Sequence, residues 1–128
     1  INLKNLETEF NFKGSYSDVK DIYNEINVLI HPTLKESFGR IYIEAMARGV
    51  PVIAAKSGAS QEIINNGENG FLHESNDLSG FLRSIELLAN DRNQYYRIST
   101  NALNFSKTYK LSNVGQRFKK IIDSKNIK

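Results

Sequence analysis

The stretch HPTLKESFGRIYIEAMARGVPVIAA, residues 31–55, decides the fold of this chain. It predicts a loop, then a helix over residues 40–48, then a strand in the apolar run PVIAA that is buried on both faces. Gly49 stands where a left-handed helix end is expected. Two glutamates, Glu36 and Glu44, lie eight residues apart around the start of this helix. The stretch therefore predicts one unit of a fold in which strands and helices alternate.

The segments on either side continue this alternation. Ser17 or Asp18 can cap the first helix, and Ser60 can cap a short third one. The predicted strands lie at residues 9–14, 27–30, 51–55 and 71–72. The predicted helices lie at about residues 19–26, 40–48, 60–64, 78–89, 92–106 and 112–124. Short strands separated by helices imply βαβ crossovers, so the predicted fold class is α/β, with a parallel sheet covered by helices on both faces.

The charge of the chain does not favour a nucleic-acid partner. The formal net charge is +3 and the pI is about 9.1. Much of the positive charge lies near the end of the chain, at Lys107, Lys110, Arg117, Lys119, Lys120, Lys125 and Lys128. This distribution is typical of a solvated helix face, and it lacks the interleaved aromatic residues of a base-stacking groove.

Length and composition indicate one ordinary domain. The 128 residues suffice to bury a core, and the absence of cysteine excludes disulfides and Cys-ligated metals while fitting a reducing compartment. No signal segment or membrane-spanning run occurs, which favours the cytoplasm. Because the chain begins with Ile1 rather than Met, we expect it to be a piece of something longer.

The loop at residues 31–39 is the expected ligand site. Ligands of parallel sheets bind beyond the carboxyl ends of the strands, and the N-terminus of the following helix offers unpaired amides that suit phosphate. Glu44 leans back toward this helix start, while Glu36 approaches from the loop. Two carboxylates there could bracket a ligand rich in hydroxyl groups.

Three sequence segments together resemble a known family. They are Glu36-Ser-Phe-Gly-Arg-Ile-Tyr-Ile-Glu44 with Ala-Met-Ala-Arg-Gly-Val-Pro-Val-Ile-Ala after it, GASQEII at residues 58–64, and NGENGFL at residues 66–72. In this order they are similar to the group 1 retaining glycosyltransferases of the GT-B fold, over nearly the whole chain from residue 12. The resemblance implies a Rossmann-like sheet that forms the later part of the C-terminal domain of such an enzyme.

The resemblance also implies roles for individual residues. Glu44 would hold the ribose hydroxyls of a nucleotide-sugar, and Glu36 would be the catalytic residue beside the sugar ring. The backbone amides that would face the donor sugar and its distal phosphate belong to Phe38, Gly39, Arg40 and Ile41. Since position 40 is often aliphatic in the family, the resemblance leaves open whether the Arg40 side chain neutralises phosphate or points to solvent.

By the same resemblance, residues 1–128 would be a donor-binding domain that is incomplete at its N-terminal side. The diphosphate-binding Arg/Lys pair and the acceptor domain would lie outside the chain. The implied partners are a nucleotide-sugar donor and the N-terminal acceptor domain of the parent protein, with peripheral association at the inner face of the membrane. With no Asp-x-Asp motif or metal-ligand spacing, we expect no metal and no cofactor; amides and basic residues would meet the diphosphate charge.

Several other interpretations stay open at this point. The chain could belong to a nucleotide-sugar epimerase of the same fold, or it could bind a nucleotide-sugar without catalysis. Glu44 could be a solvated helix residue, and Glu36 could serve only as a loop or capping acid. His31 could act as a general base, but beside a strand end and a proline a structural role is favoured.

Overall fold

Three short parallel strands form one sheet in the computed structural model, which describes residues 11–109 and residue 124. They are β1 (Leu29–His31), β2 (Val52–Ala55) and β3 (Phe71–His73), in the order β1-β2-β3. Ile30 pairs with Ile53, and Ile53 pairs with Phe71. All carboxyl ends therefore meet at one edge of the sheet, and the predicted parallel α/β fold is confirmed.

Five helices connect and cover these strands in the described ranges. They are α1 (Val19–Glu25), α2 (Arg40–Met46), α3 (Gly58–Ile63), α4 (Leu78–Asn90) and α5 (Arg92–Thr108). Each corresponds to a predicted helix, with ends displaced by up to two residues. The helix predicted at residues 112–124 lies outside the described residues except for Ser124, which is helical.

The core lies on both sides of β2. All four residues of this strand are fully buried, since β1 and β3 flank it and helices cover both of its faces. Val52 and Ala54 pack into one cluster with residues of α1, α2, α3 and α5, whereas Ile53 and Ala55 pack into a second cluster that includes Phe81 of α4. Alternation along the strand thus divides the core into two layers.

The strand predicted at residues 9–14 is wrong for the part that the structure describes. Residues 11–16 form no regular element, and the Phe12 side chain is 96% exposed. Alternation of polar and apolar residues suits a strand only where a neighbouring strand and a core lie beside it. Within the described ranges, nothing covers Phe12.

The cap predicted for α3 is also wrong. Ser57 is the N-cap, with extended backbone angles of φ −154° and ψ 159°, so the helix begins earlier than predicted. Ser60 lies inside the first turn, where its buried hydroxyl accepts a hydrogen bond from the Ser57 amide at 2.9 Å and lies 2.7 Å from the Ala55 carbonyl oxygen. Asp18 caps α1 as predicted, accepting from the Lys20 amide.

Side chains of α5 hold two distant turns through their backbone carbonyls. The Ser99 hydroxyl donates to the carbonyl oxygen of Gly49, after α2, at 2.6 Å. Arg97 donates to the carbonyl oxygen of Gly67 at 2.9 Å, and Asn101 donates to that of Glu68 at the same distance. This helix therefore links the end of α2 to the turn that precedes β3.

Helix α2 begins at a glycine that no other residue replaces easily. Gly39 has φ +66°, and a Cβ placed on it would collide with the side chain of Ile63 and lie 3.2 Å from the Cβ of Ala59. Both neighbours belong to α3, so the absent side chain lets the loop and the two helices approach one another.

No helix in the described ranges is both long and apolar enough to cross a membrane.

Gly39→Ala is expected to reduce the free energy of unfolding by about 2–4 kcal/mol, because left-handed backbone strain adds to overpacking against α3. Denaturant unfolding followed by circular dichroism measures the change. Gly67→Ala is the matched control, since Gly67 has φ +79° but an added Cβ there meets nothing within 4 Å. In the control, only the left-handed backbone strain should reduce the free energy of unfolding, by about 1–2 kcal/mol. Equal losses in the two variants would contradict the close packing of Gly39.

Candidate functional site

The predicted site residues 36–41 span the point where the loop after β1 enters α2, and Glu44 lies one turn into that helix. The loop at residues 32–39 leaves β1 at its carboxyl end, and its backbone at Glu36 lies close to Gly58 at the start of α3. Two helix starts and a strand end therefore meet at one point on the carboxyl edge of the sheet. This is the position where the alternating fold places ligands.

Glu36 closes this loop through its own carboxylate. Its Oε1 atom accepts hydrogen bonds from the amides of Phe38 at 3.2 Å and Gly39 at 2.8 Å. The carboxylate thus satisfies two amides that precede α2 and puts a negative charge at the positive end of the helix. Glu36 therefore caps the start of α2, and the amides of Phe38 and Gly39 are engaged within the loop itself.

The next two amides of α2 are unpaired. Tyr42 and Ile43 both donate to the Gly39 carbonyl oxygen, at 3.0 and 3.3 Å. For Arg40 and Ile41, by contrast, the part of the chain that the structure describes supplies no acceptor. These two N–H groups are the donors that remain for an acceptor from outside.

Both carboxylate oxygens of Glu44 have partners. Oε1 lies 3.2 Å from the Arg40 guanidinium, one helical turn away, and Oε2 accepts from the Tyr23 hydroxyl at 3.4 Å. The Glu44 side chain is 34% exposed, so it can still be reached from solvent, whereas Arg40 is almost fully exposed. Glu44 is therefore held by two partners beside the first turn of α2, which differs from the arrangement of an ordinary solvated helix residue.

Tyr23 is a site residue that sequence reasoning missed. It lies in α1, is 7% exposed, and its hydroxyl lies 3.3 Å from the Ile41 carbonyl oxygen as well as near Glu44. Burial raises the pKa of Tyr23 to about 12, and the charge of Glu44 and the hydrogen bond to it act in the same direction. The hydroxyl therefore keeps its proton at neutral pH and donates it. The spacing of Tyr23 predicts only a core position on α1, and no local signal connects it with Glu44.

A second tyrosine ties the strand end to the helix. The Tyr42 hydroxyl and His31 Nδ1 share a hydrogen bond of 3.0 Å, and the two rings meet edge to face with centroids 5.4 Å apart. Tyr42 is fully buried, and burial, followed by the charge of Glu36, raises the pKa of its hydroxyl. His31 thus has the structural partner expected of a residue that fixes one end of the loop.

The remaining predicted residues differ in what they expose. Phe38 is 83% exposed, so its side chain contributes little packing, while Ile41 is partly buried against the core.

In residues 11–109 and at residue 124, no three acidic or histidine side chains come close enough to hold a metal ion. The chemistry available at the site is therefore two carboxylates, two unpaired amides, one guanidinium, two phenols and one imidazole.

Comparison of the sequence with known proteins points to one family. Residues 1–105 match the family model described as glycosyl transferases group 1. The chain is 39% identical over 85 residues to CapM of Staphylococcus aureus, a capsular polysaccharide biosynthesis glycosyltransferase. This match covers 66% of the chain and 22% of CapM. It is 30% identical over 128 residues to an uncharacterized glycosyltransferase of Haemophilus influenzae, covering 94% of this chain and 36% of that protein.

Solved structures agree with these matches. HepE of Anabaena, crystallised in complex with UDP, superposes with a TM-score of 0.85 at 28% identity, over 94% of this chain and 34% of HepE. A C-terminal domain of a glycosyl transferase group 1 family protein, LpcC of Francisella tularensis, gives a TM-score of 0.70 at 29% identity, over 84% of this chain and 62% of that one. The chain spans about a fifth to a third of the length of the curated relatives given above.

Glu36→Ala is expected to reduce the free energy of unfolding by about 0.5–2 kcal/mol, because the amides of Phe38 and Gly39 lose their acceptor. Glu36→Gln keeps a carbonyl oxygen in that place and should retain most of the stability. Urea unfolding of both variants measures the difference. The capping role is wrong if the alanine variant proves as stable as the glutamine variant.

Proposed function

This chain belongs to the group 1 glycosyl transferases, and from this premise we propose that it binds the donor of a glycosyl transfer reaction. The whole enzyme would move a sugar from a nucleotide-diphosphate sugar to an acceptor. One observation carries the proposal: the Glu36 carboxylate and the unpaired amides of Arg40 and Ile41 lie together where the loop meets α2, and Glu44 contacts Arg40 one turn further along the helix. Structures of HepE with UDP and with UDP-glucose support the choice of ligand class.

Each part of the donor meets a matching group in this proposal. Glu44 accepts hydrogen bonds from the ribose hydroxyls, because its carboxylate is 34% exposed and lies beside the Arg40 side chain at the start of α2. The amides of Arg40 and Ile41 donate to the distal phosphate, in the positive field of the start of α2. The Arg40 guanidinium is exposed and can leave Glu44 to neutralise the diphosphate.

Glu36 has one carboxylate oxygen for each of two tasks. Oε1 holds the loop through the amides of Phe38 and Gly39. Oε2 has no hydrogen-bond partner in the described part of the chain, so it is available to a hydroxyl of the donor sugar. A catalytic role for Glu36 beside the sugar is therefore compatible with its capping role, and Phe38 and Gly39 act by orienting it.

In the reaction that we propose, the bond between the anomeric carbon and the diphosphate oxygen breaks, and an acceptor oxygen takes its place with retention of configuration. The hydroxyl proton of the acceptor passes to an oxygen of the departing nucleoside diphosphate, which also takes the electron pair of the broken bond. Amides and Arg40 stabilise the negative charge that develops on this leaving group. The proposal needs no metal and no cofactor within this chain.

The acceptor side is proposed to lie in an N-terminal domain of the parent protein, so that residues 1–128 are the later part of its donor domain. The match to a solved C-terminal domain supports this division. CapM is named for capsular polysaccharide biosynthesis and LpsB of Rhizobium meliloti for lipopolysaccharide core biosynthesis, which supports a glycan acceptor. Work at the inner face of the membrane stays a prediction, and cell fractionation tests it.

The function is tested by incubating the intact natural protein with UDP- and GDP-sugars and a glycan acceptor. Release of nucleoside diphosphate together with a glycosylated product supports transfer, and the anomeric proton coupling of the product reports retention. A donor converted to its epimer indicates the epimerase alternative. Donor binding without any turnover indicates a binding protein.

Glu44→Ala in the intact protein is expected to weaken nucleoside diphosphate binding by about 10–150-fold, because a hydrogen bond to a charged group contributes about 1.5–3 kcal/mol. Isothermal titration calorimetry with UDP and GDP measures the affinity. Glu86→Ala, an exposed glutamate of α4, is the control and should bind as the wild type does. Unchanged affinity in the Glu44 variant would remove the ribose assignment.

Glu36→Gln is expected to lower turnover more than nucleoside diphosphate affinity, because the amide side chain keeps the loop closed but carries no charge beside the sugar. Comparison of kcat with the calorimetric affinity tests this. Equal losses of turnover and affinity would contradict a role on the sugar side.

A further inference from the structure

The two partners of Glu44 hold it in different ways. Arg40 reaches Oε1 from a side chain that is 86% exposed, so solvent and ligands compete for it. Tyr23 reaches Oε2 from inside the core, where its ring is 7% exposed and packs in the same cluster as Tyr42, Ala45 and Met46. The arginine contact can exchange, whereas the tyrosine contact is fixed by packing.

Tyr23 is also anchored at its hydroxyl. The oxygen lies 3.3 Å from the Ile41 carbonyl oxygen and 3.4 Å from Glu44 Oε2, so its single proton is shared between acceptors in the first and second turns of α2. A phenol that keeps its proton donates to a carboxylate and leaves the other lone pairs of that carboxylate for a ligand. The direction in which Glu44 presents these lone pairs depends on where the hydroxyl holds it.

We propose that Tyr23 is a positioning residue that fixes the Glu44 carboxylate and thereby determines how strongly the site distinguishes a ribose from a deoxyribose. The inference rests on the proposed function, in which Glu44 accepts the ribose hydroxyls. A carboxylate that is held in place before the ligand arrives loses less conformational freedom on binding. A site preorganised for hydroxyl groups also rejects an analogue that lacks them more strongly.

The test compares nucleotides with and without the hydroxyls that Glu44 would bind. UDP and 2′,3′-dideoxy-UDP are titrated into the intact natural protein and its variants by calorimetry, with the GDP pair used in the same way. Tyr23→Phe keeps the ring and removes only the hydroxyl. We expect about a 3–10-fold loss of affinity for the ribonucleotide and an unchanged affinity for the dideoxynucleotide.

Two variants make this result specific. Tyr95→Phe is the matched control, because the Tyr95 hydroxyl donates to the Asn27 carbonyl oxygen at 3.0 Å on another part of the surface, and its loss should alter neither affinity. Replacement of Tyr23 by 4-amino-phenylalanine restores an N–H donor at the same place and should recover discrimination between the two nucleotides.

The outcomes separate this inference from the function on which it rests. The positioning role would be overturned if Tyr23→Phe lost affinity equally for both nucleotides, or lost no affinity for either. A Tyr23→Phe variant that fails to fold would also overturn it. If Glu44→Ala abolishes discrimination while Tyr23→Phe preserves it, only the inference on Tyr23 fails. If Glu44→Ala also preserves discrimination, or no nucleotide of either pair binds the wild type, the ribose assignment within the proposed function fails.

Discussion

The complete burial of β2 is the constraint on which the rest of the structure depends. A strand with neighbours on both edges and helices on both faces has no polar surface to offer, so every residue from Val52 to Ala55 is apolar. Parallel pairing on both sides then sends the chain out of the sheet at the same edge each time. The loop after β1 and the helix start after β2 are neighbours for this reason, and the site exists only because they are.

Elements with a strong local signal could be predicted from the sequence. The periodic apolar residues of α4 and α5 and the apolar run of β2 each define an element within a few residues. Errors arose where the signal was local but the structure was decided elsewhere. Two serines three residues apart, Ser57 and Ser60, both suit a cap, and the hydrogen bond from the Ser57 amide to the Ser60 hydroxyl goes with a helix that begins after Ser57. Alternation near Phe12 predicted a strand, but only tertiary neighbours could supply the pairing.

The candidate site was predictable to the same extent and for the same reason. The position of Glu36 and Glu44 beside a helix start follows from strand, loop and helix order, and the loop contacts of Glu36 follow from its short distance to Gly39 along the chain. The contact between Tyr23 and Glu44 joins two helices that are separated by a strand and a loop. Such a contact depends on how α1 packs on α2, which no spacing within either helix expresses.

The way in which α5 holds the two turns has a consequence for sequence drift. Its donors contact carbonyl oxygens of Gly49, Gly67 and Glu68, and every residue type supplies such an oxygen. Position 68 can therefore accept many replacements, at the loss of one exposed ion pair whose closest atoms are 4.0 Å apart. The donors at positions 97, 99 and 101 have no such freedom, because each contact depends on a side chain of the right length. Variation is tolerated on one side of this attachment and restricted on the other.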